Sequence, residues 1–245
     1  MAGIRDLVEN PHVVYKNNLD FWNFLLNSYE GGQDYVGADF KDSYQIFAGG
    51  RAVKQSTGKH MFKYKSEREV DYKQRIKMSY YYNYCSPIID VYTAHLFKKP
   101  VLEKWENIDK TIEQRHDNID RMGSSINEFR KELVDYAQIY GHVFTLVDVP
   151  QTSASIVSLQ DKIDTDNFPY LVKKCPQDVI NWALDEFGRP YWVLIREKMD
   201  GNVNPHDYDK EKTVNIRYKL WDRNSWYLYD SDYNLIESGD HGPGS

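Results

Sequence analysis

Residues 67–100 read EREVDYKQRIKMSYYYNYCSPIIDVYTAHLFKKP, a long glycine-free run closed by Lys98-Lys99-Pro100. Tyr72, Ile76, Tyr80, Tyr84, Ile88, Tyr92 and Leu96 recur at every fourth position, with Arg75, Tyr81, Ile89 and Phe97 beside that row. Such spacing predicts a helix whose large side chains gather in one broad stripe. Glu67, Glu69 and Asp71 near the start, and Lys98 and Lys99 at the end, follow the charge order that a helix dipole favours. Pro87 lacks a backbone donor, so it kinks the helix or splits it near Tyr84. The expectation is one long, kinked, Tyr-rich helix against which later elements pack. Its tyrosines Tyr72, Tyr80, Tyr84 and Tyr92 serve either as core or as a subunit interface.

The chain of 245 residues is long enough for a sizeable core. Charged residues make up 28% of it and mean hydropathy is −0.71. No apolar run approaches the ~20 residues of a membrane span, so no membrane association is expected. The opening MAGIRDLVENPH lacks the apolar centre of a signal peptide. Two cysteines, Cys85 and Cys175, supply no disulfide framework and read as small buried side chains. Acidic residues outnumber basic ones, 37 to 31, which speaks against a dedicated DNA-gripping domain. That balance still suits a protein past which nucleic acid slides. With 20 Tyr and 6 Trp in so polar a chain, the composition leans towards protein–protein surfaces.

Around the central run, Tyr15, Leu19, Trp22, Leu25, Leu26 and Tyr29 keep helical spacing between Pro11 and the stop Gly31-Gly32. Gln33 to Ser66 reads as a long, partly extended loop. Its GGRAVKQSTGK run is not a phosphate-binding loop, because Gly50 and Gly58 stand too far apart and His60 follows Lys59. Residues 101–123 are polar with anchors Leu102, Trp105, Ile108 and Ile112. Ser125 and Glu128 form a capping box for a helix with Ile126, Phe129, Leu133, Tyr136, Ala137 and Tyr140 on its apolar side, ended by Gly141. HVFTLVDVP, PYLVKKCP, QDVINWALD, GRPYWVLIREKM, TVNIRYKLWD, SWYLYDSD and NLIESGD then read as strands, the fourth alternating and entered through a turn at Phe187-Gly188. MDGNVNPHDYDKEK is a polar loop between two of them. Helices first and antiparallel strands after give an α+β fold. The division expected is an N-terminal helix and extended arm over 1–66, then an α+β body over 67–245.

The order of these signals carries a resemblance. The helix ending Glu30-Gly31-Gly32, the Tyr72-x-x-Arg75 motif before LFKKP, the junction AQIYGHVFTLVDVP, the tract FPYLVKKCPQDVINWALDEFGRPYWVLIREK and the closing Gly239-Asp240-His241-Gly242 resemble, in sequence, the portal proteins of tailed bacteriophages. The resemblance spans roughly residues 15 to 242. It implies a portal wing-like body and a homo-oligomeric ring, in that family a dodecamer, at one capsid vertex. Double-stranded DNA would be packaged and ejected through the ring. The partners it implies are the terminase motor, the major capsid protein and head-tail adaptor proteins. The place implied is the virion, assembled in the bacterial host cytoplasm. Family members are longer, so the ending HGPGS reads as an interruption before the channel and crown, and no DNA-contacting residue is assigned.

Chemistry is sparse. Asp178, Asp185 and Glu197 with Lys198 invite a metal-dependent nuclease reading, but Arg196 occupies the place where such a site wants an acid. Charged ends of a strand are the simpler account. His60, His95, His116 and His142 share no ligand spacing, and no Ser or Cys sits in a nucleophile motif. No catalytic residue, metal or cofactor is expected. Lys63, Lys65, Arg68, Lys73, Arg75 and Lys77 form the most basic stretch, interleaved with acids as on a solvated helix face. Besides the portal and the nuclease, a protein-binding module outside any capsid would also use aromatic surfaces.

Overall fold

The computed structural model describes residues 3–36, 60–99, 101–103, 116–150, 161, 167–200 and 214–241. Trp105, Ile108, Ile112, the middle of the 33–66 loop, the polar loop 201–213 and Gly242 lie outside the described residues. The fold is α+β with two antiparallel sheets. One compact unit combines Met1–Asn83 with Pro176–Ser245; the other is Tyr84–Cys175. The chain thus divides at 83/84 and 175/176, whereas the sequence reading divided it at 66/67.

In the first unit, α1 (Ile4–Glu9) and α2 (Val13–Glu30) meet β3 (Val179–Leu184). Pro11 separates the helices, and the His12 Nδ1 accepts the Val14 N–H at 3.2 Å to start α2. Tyr15, Trp22 and Leu26 are buried, one face of a 3.6-residue period. The Tyr15 hydroxyl donates to the Gln177 carbonyl at 3.1 Å, and burial pushes its ionisation up. Asn181 Nδ2 donates to the carbonyls of Leu7 and Asn10, and the His12 ring stacks on Trp182 at 3.9 Å. Four further strands complete an antiparallel meander: β4 (Pro190–Asp200), β5 (Val214–Asp222), β6 (Ser225–Tyr229) and β7 (Leu235–Asp240). Leu194 and Ile195, adjacent on β4, are both 0% exposed. Successive strand residues point to opposite faces, so β4 is covered on both sides at this point, and the expected one-sided alternation fails there.

The run 69–96 is two helices, α4 (Glu69–Met78) and α5 (Cys85–Leu96), with residues 79–84 non-helical between them; α3 (Gly32–Val36) precedes them. Two causes are visible. Pro87 is the third residue of α5, where a missing N–H has no intrahelical partner to lose, so α5 begins just before it. Tyr81 and Asn83 meanwhile turn towards α2, where they satisfy its last carbonyls. The Tyr81 hydroxyl donates to Ser28 O at 2.8 Å and Asn83 Nδ2 to Tyr29 O at 2.6 Å. Tyr81 also stacks on Tyr35 at 3.9 Å. These bonds draw on backbone acceptors that a helix end leaves open, and a continuous helix through 79–84 would forfeit them.

The second unit holds α5, α6 (Ile126–Tyr140) and a two-stranded sheet of β1 (Phe144–Asp148) and β2 (Tyr170–Lys174). The capping box forms as read: the Ser125 Oγ accepts from Glu128 N–H at 3.3 Å while the Glu128 carboxylate accepts from Ser125 N–H at 2.8 Å. Gly141 closes α6 in the left-handed region, φ +81°. Phe144 pairs with Lys174 and Asp148 with Tyr170 across the ladder. Cys175 is buried as expected, but Cys85 is exposed at the start of α5, outside any core.

Candidate functional site

The every-fourth-residue row splits into a buried part and an exposed part. Tyr72 is 9% exposed and sits with Val36 and Ile76 in a small core flanked by Met61 and Tyr81. Its hydroxyl donates to Met61 O at 2.8 Å. Tyr72 therefore holds its own unit together and is not available to another subunit. Tyr80, Tyr84 and Tyr92 are 77%, 71% and 63% exposed. From 80 to 84 exposure alternates, with Tyr80, Tyr82 and Tyr84 outward and Tyr81 and Asn83 half-buried.

On α5 the polarity runs opposite to that of an ordinary surface helix. Tyr84, Ile88, Val91, Tyr92 and Leu96 share one face, and all are more than half exposed. The buried position is Thr93, 0% exposed. Its hydroxyl donates to the Asp135 carboxylate and accepts from Gln138 Nε2 at 2.8 Å, both on α6. A polar side chain buried this deeply is tolerable because both its hydrogen-bonding roles are filled. α5 is thus anchored to α6 by polar bonds, while its aromatic and aliphatic side chains face outward.

The Tyr72-x-x-Arg75 motif has a local role. The Arg75 guanidinium grips Glu67 with two bonds of 2.8 Å, donates to Phe62 O at 2.8 Å, and lies over the Tyr64 and Tyr72 rings at 4.7 and 5.4 Å. The bond from Arg75 holds the Glu67 carboxyl down at about 2. Lys63 pairs with Glu69 and Arg68 with Asp71. Three of the six cations in the most basic stretch are therefore matched by carboxylates, which favours the solvated-face account over phosphate contact.

The nuclease trio does not assemble. Asp178 and Asp185 flank β3 at opposite ends, and seven steps of ~3.3 Å set them about 20 Å apart, too far to share one ion. Asp185 organises the β3–β4 turn: it accepts from the N–H groups of Phe187 and Arg189 and from the side chains of Arg189 and Arg223. Partial desolvation pushes its carboxyl up, but these bonds outweigh it and leave the group below the ordinary carboxylate range. Glu197 lies on β4 opposite Arg217. His60 is held between Phe24 and Tyr35, with Asn27 Nδ2 at 3.2 Å from its Nε2, and burial lowers its ionisation. Among the described residues no group of three or more His, Cys, Asp or Glu side chains is placed to hold a metal. No described helix is long and apolar enough to cross a membrane.

Comparison with protein-family models and with curated proteins returned no match for the chain. The site residues that sequence reasoning missed are Thr93, Tyr81 and Asn83. The position of Pro87 was the available signal that the row breaks there.

Proposed function

We propose that the chain is a portal protein of a tailed bacteriophage, a structural subunit of a ring at the capsid vertex. Packaging and ejection of double-stranded DNA would take place through that ring, which would also dock the terminase motor and the head-tail adaptors. The reading starts from the order of sequence motifs between residues 15 and 242. The structural observation that supports it is the outward stripe of α5, because an assembling ring must bury apolar surface between neighbours. The α+β body corresponds, in this reading, to the portal wing. Tyr80, Tyr84 and Tyr92 remain its interface candidates, and Tyr72 leaves the set.

The role is mechanical. ATP hydrolysis belongs to a separate motor, and the subunit contributes shape and position. A net charge of −6 suits a channel through which DNA must move, since each fixed cation–phosphate contact adds salt-dependent affinity. Electron microscopy combined with mass measurement tests the proposal. Rings with a central hole are expected; a monodisperse monomer at high concentration would overturn it. A small closed oligomer without a hole would point instead to a protein-binding module.

A further inference from the structure

We propose that His60 is an acid-released latch on the C-terminal half of α2. Its ring meets Phe24 edge to face at 4.7 Å and Tyr35 at 5.2 Å, while Nε2 lies 3.2 Å from Asn27 Nδ2. An amide nitrogen has no lone pair to offer, so Asn27 donates, the neutral Nε2 accepts, and the ring proton rests on Nδ1. Asn27 is only 5% exposed, so its N–H has little water to turn to once that acceptor is lost. The bond spans 33 positions and joins α2 to the segment 60–64. That segment is fastened separately to α4, because Tyr72 donates to Met61 O and Arg75 to Phe62 O, each at 2.8 Å. His60 thus ties α2 to a stretch of chain that α4 already holds.

Protonation reverses this contact. The added Nε2–H points at the Asn27 N–H, so two donors face one another without an acceptor, and a cation is left in a partly closed site. The groups that touch the ring from α2 and α3 are Phe24, Asn27 and Tyr35. Tyr35 is the one titratable group of the three, and a phenol is neutral throughout the acid range. Among the described residues no carboxylate pairs with the ring. Phe24 and Tyr35 attract an imidazolium through their ring faces, but neither supplies the acceptor that a second N–H needs. Burial lowers the ionisation of His60 from its ordinary 6.5. A base depressed in the folded state gives stability that is complete above pH 6.5 and is lost as pH falls from there through the folded value. The described carboxyls with displaced ionisation, Glu67, Asp120, Glu128, Asp185 and Asp230, are all displaced downwards, so they keep their charge as the latch opens. The latch is independent of the ring reading and requires no partner.

Hydrogen–deuterium exchange on the full chain at pH 7.5 and 5.0, expressed as protection relative to free peptide at each pH, compares wild type with His60→Gln. The Gln side-chain oxygen can accept from Asn27 at either pH and does not titrate. In wild type, protection over residues 22–31 should fall by roughly 2–10-fold on acidification, the worth of one hydrogen bond. His60→Gln should show no such fall, and residues 126–140, in the other unit, should be unchanged in both proteins. The remaining histidines are common to the two proteins, so the difference isolates His60. An equal fall in both proteins, no fall in wild type, or a fall shared by 126–140 overturns the proposal. The imidazole resonances of wild type give a reading that needs no variant. His60 titrating below pH 6.5 upholds the latch, and His60 titrating at or above 6.5 overturns it.

Discussion

Gly31→Ala tests the join between α2 and the non-helical residues 79–84. Gly31 has φ +70° and ψ −156°, a region that side-chain-bearing residues reach only at about 1–3 kcal/mol. A Cβ there would also lie 2.9 Å from Tyr81 Cδ1 and 3.2 Å from Asn83 Nδ2. These two side chains hold the last carbonyls of α2, so relieving the overlap weakens one or both bonds, at about 1 kcal/mol each. The sum is about 2–5 kcal/mol. For a unit of this size that corresponds to a fall in Tm of roughly 4–20 °C. Gly32 provides the control: its φ is +72°, yet nothing lies within 4 Å of its added Cβ. Gly32→Ala should therefore cost only the backbone part. The assay is thermal unfolding followed by circular dichroism at 222 nm, with Tyr81→Ala combined with Gly31→Ala as a cycle. The combined loss should be smaller than the sum of the single losses, because Tyr81→Ala removes the overlap. Equal Tm values for Gly31→Ala and Gly32→Ala, or an additive cycle, would refute the reasoning.

Three further outcomes are expected. Leu194→Ala empties a fully buried site in β4 and should destabilise the first unit by about 2–5 kcal/mol, read from urea unfolding. Thr93→Val keeps the shape but strips Asp135 and Gln138 of a partner; a loss of about 1–3 kcal/mol in the second unit is expected, measured by the same titration. Glu67 is held at about 2 by Arg75, below its ordinary 4.5. A carboxyl depressed in the folded state gives stability that is complete above pH 4.5 and is lost as pH falls through 2. Wild type should therefore exceed Glu67→Gln in Tm at pH 6, and the two should converge near pH 2. A constant difference across that range would show that the pair contributes nothing through ionisation.

Most of the strands were legible because β-branched and aromatic runs bounded by Gly, Pro and Asp leave few alternatives, and every strand read in the sequence is present. The capping box at Ser125 was equally readable, since its two partners lie three residues apart. Inward and outward were harder. A row at every fourth position says which side chains share a helix face, but not whether that face meets a core. Tyr72 and Tyr84 belong to the same row, yet one is buried and the other exposed. The deciding contacts join Tyr81 to Ser28 and Asn83 to Tyr29, more than fifty residues apart, and no local pattern encodes them. The double burial around Leu194 and Ile195 was hinted at by the unbroken run Tyr191–Ile195, which fits a strand covered on both sides better than alternation does.

The division of the chain has a consequence for its synthesis. Residues 84–175 interrupt the first unit, so Tyr15 waits for Gln177, and Leu7 for Asn181, across 162 and 174 positions. At about 5–20 residues per second, a ribosome needs roughly 5–20 s to cross that insertion. Throughout that interval the nascent N-terminal helices have no β3 to bind, and at its end the inserted segment has all of its own sequence while β3 is still to come. The second unit can thus form first on the ribosome, with Tyr15, Trp22 and Leu26 left to chaperones until the last seventy residues emerge.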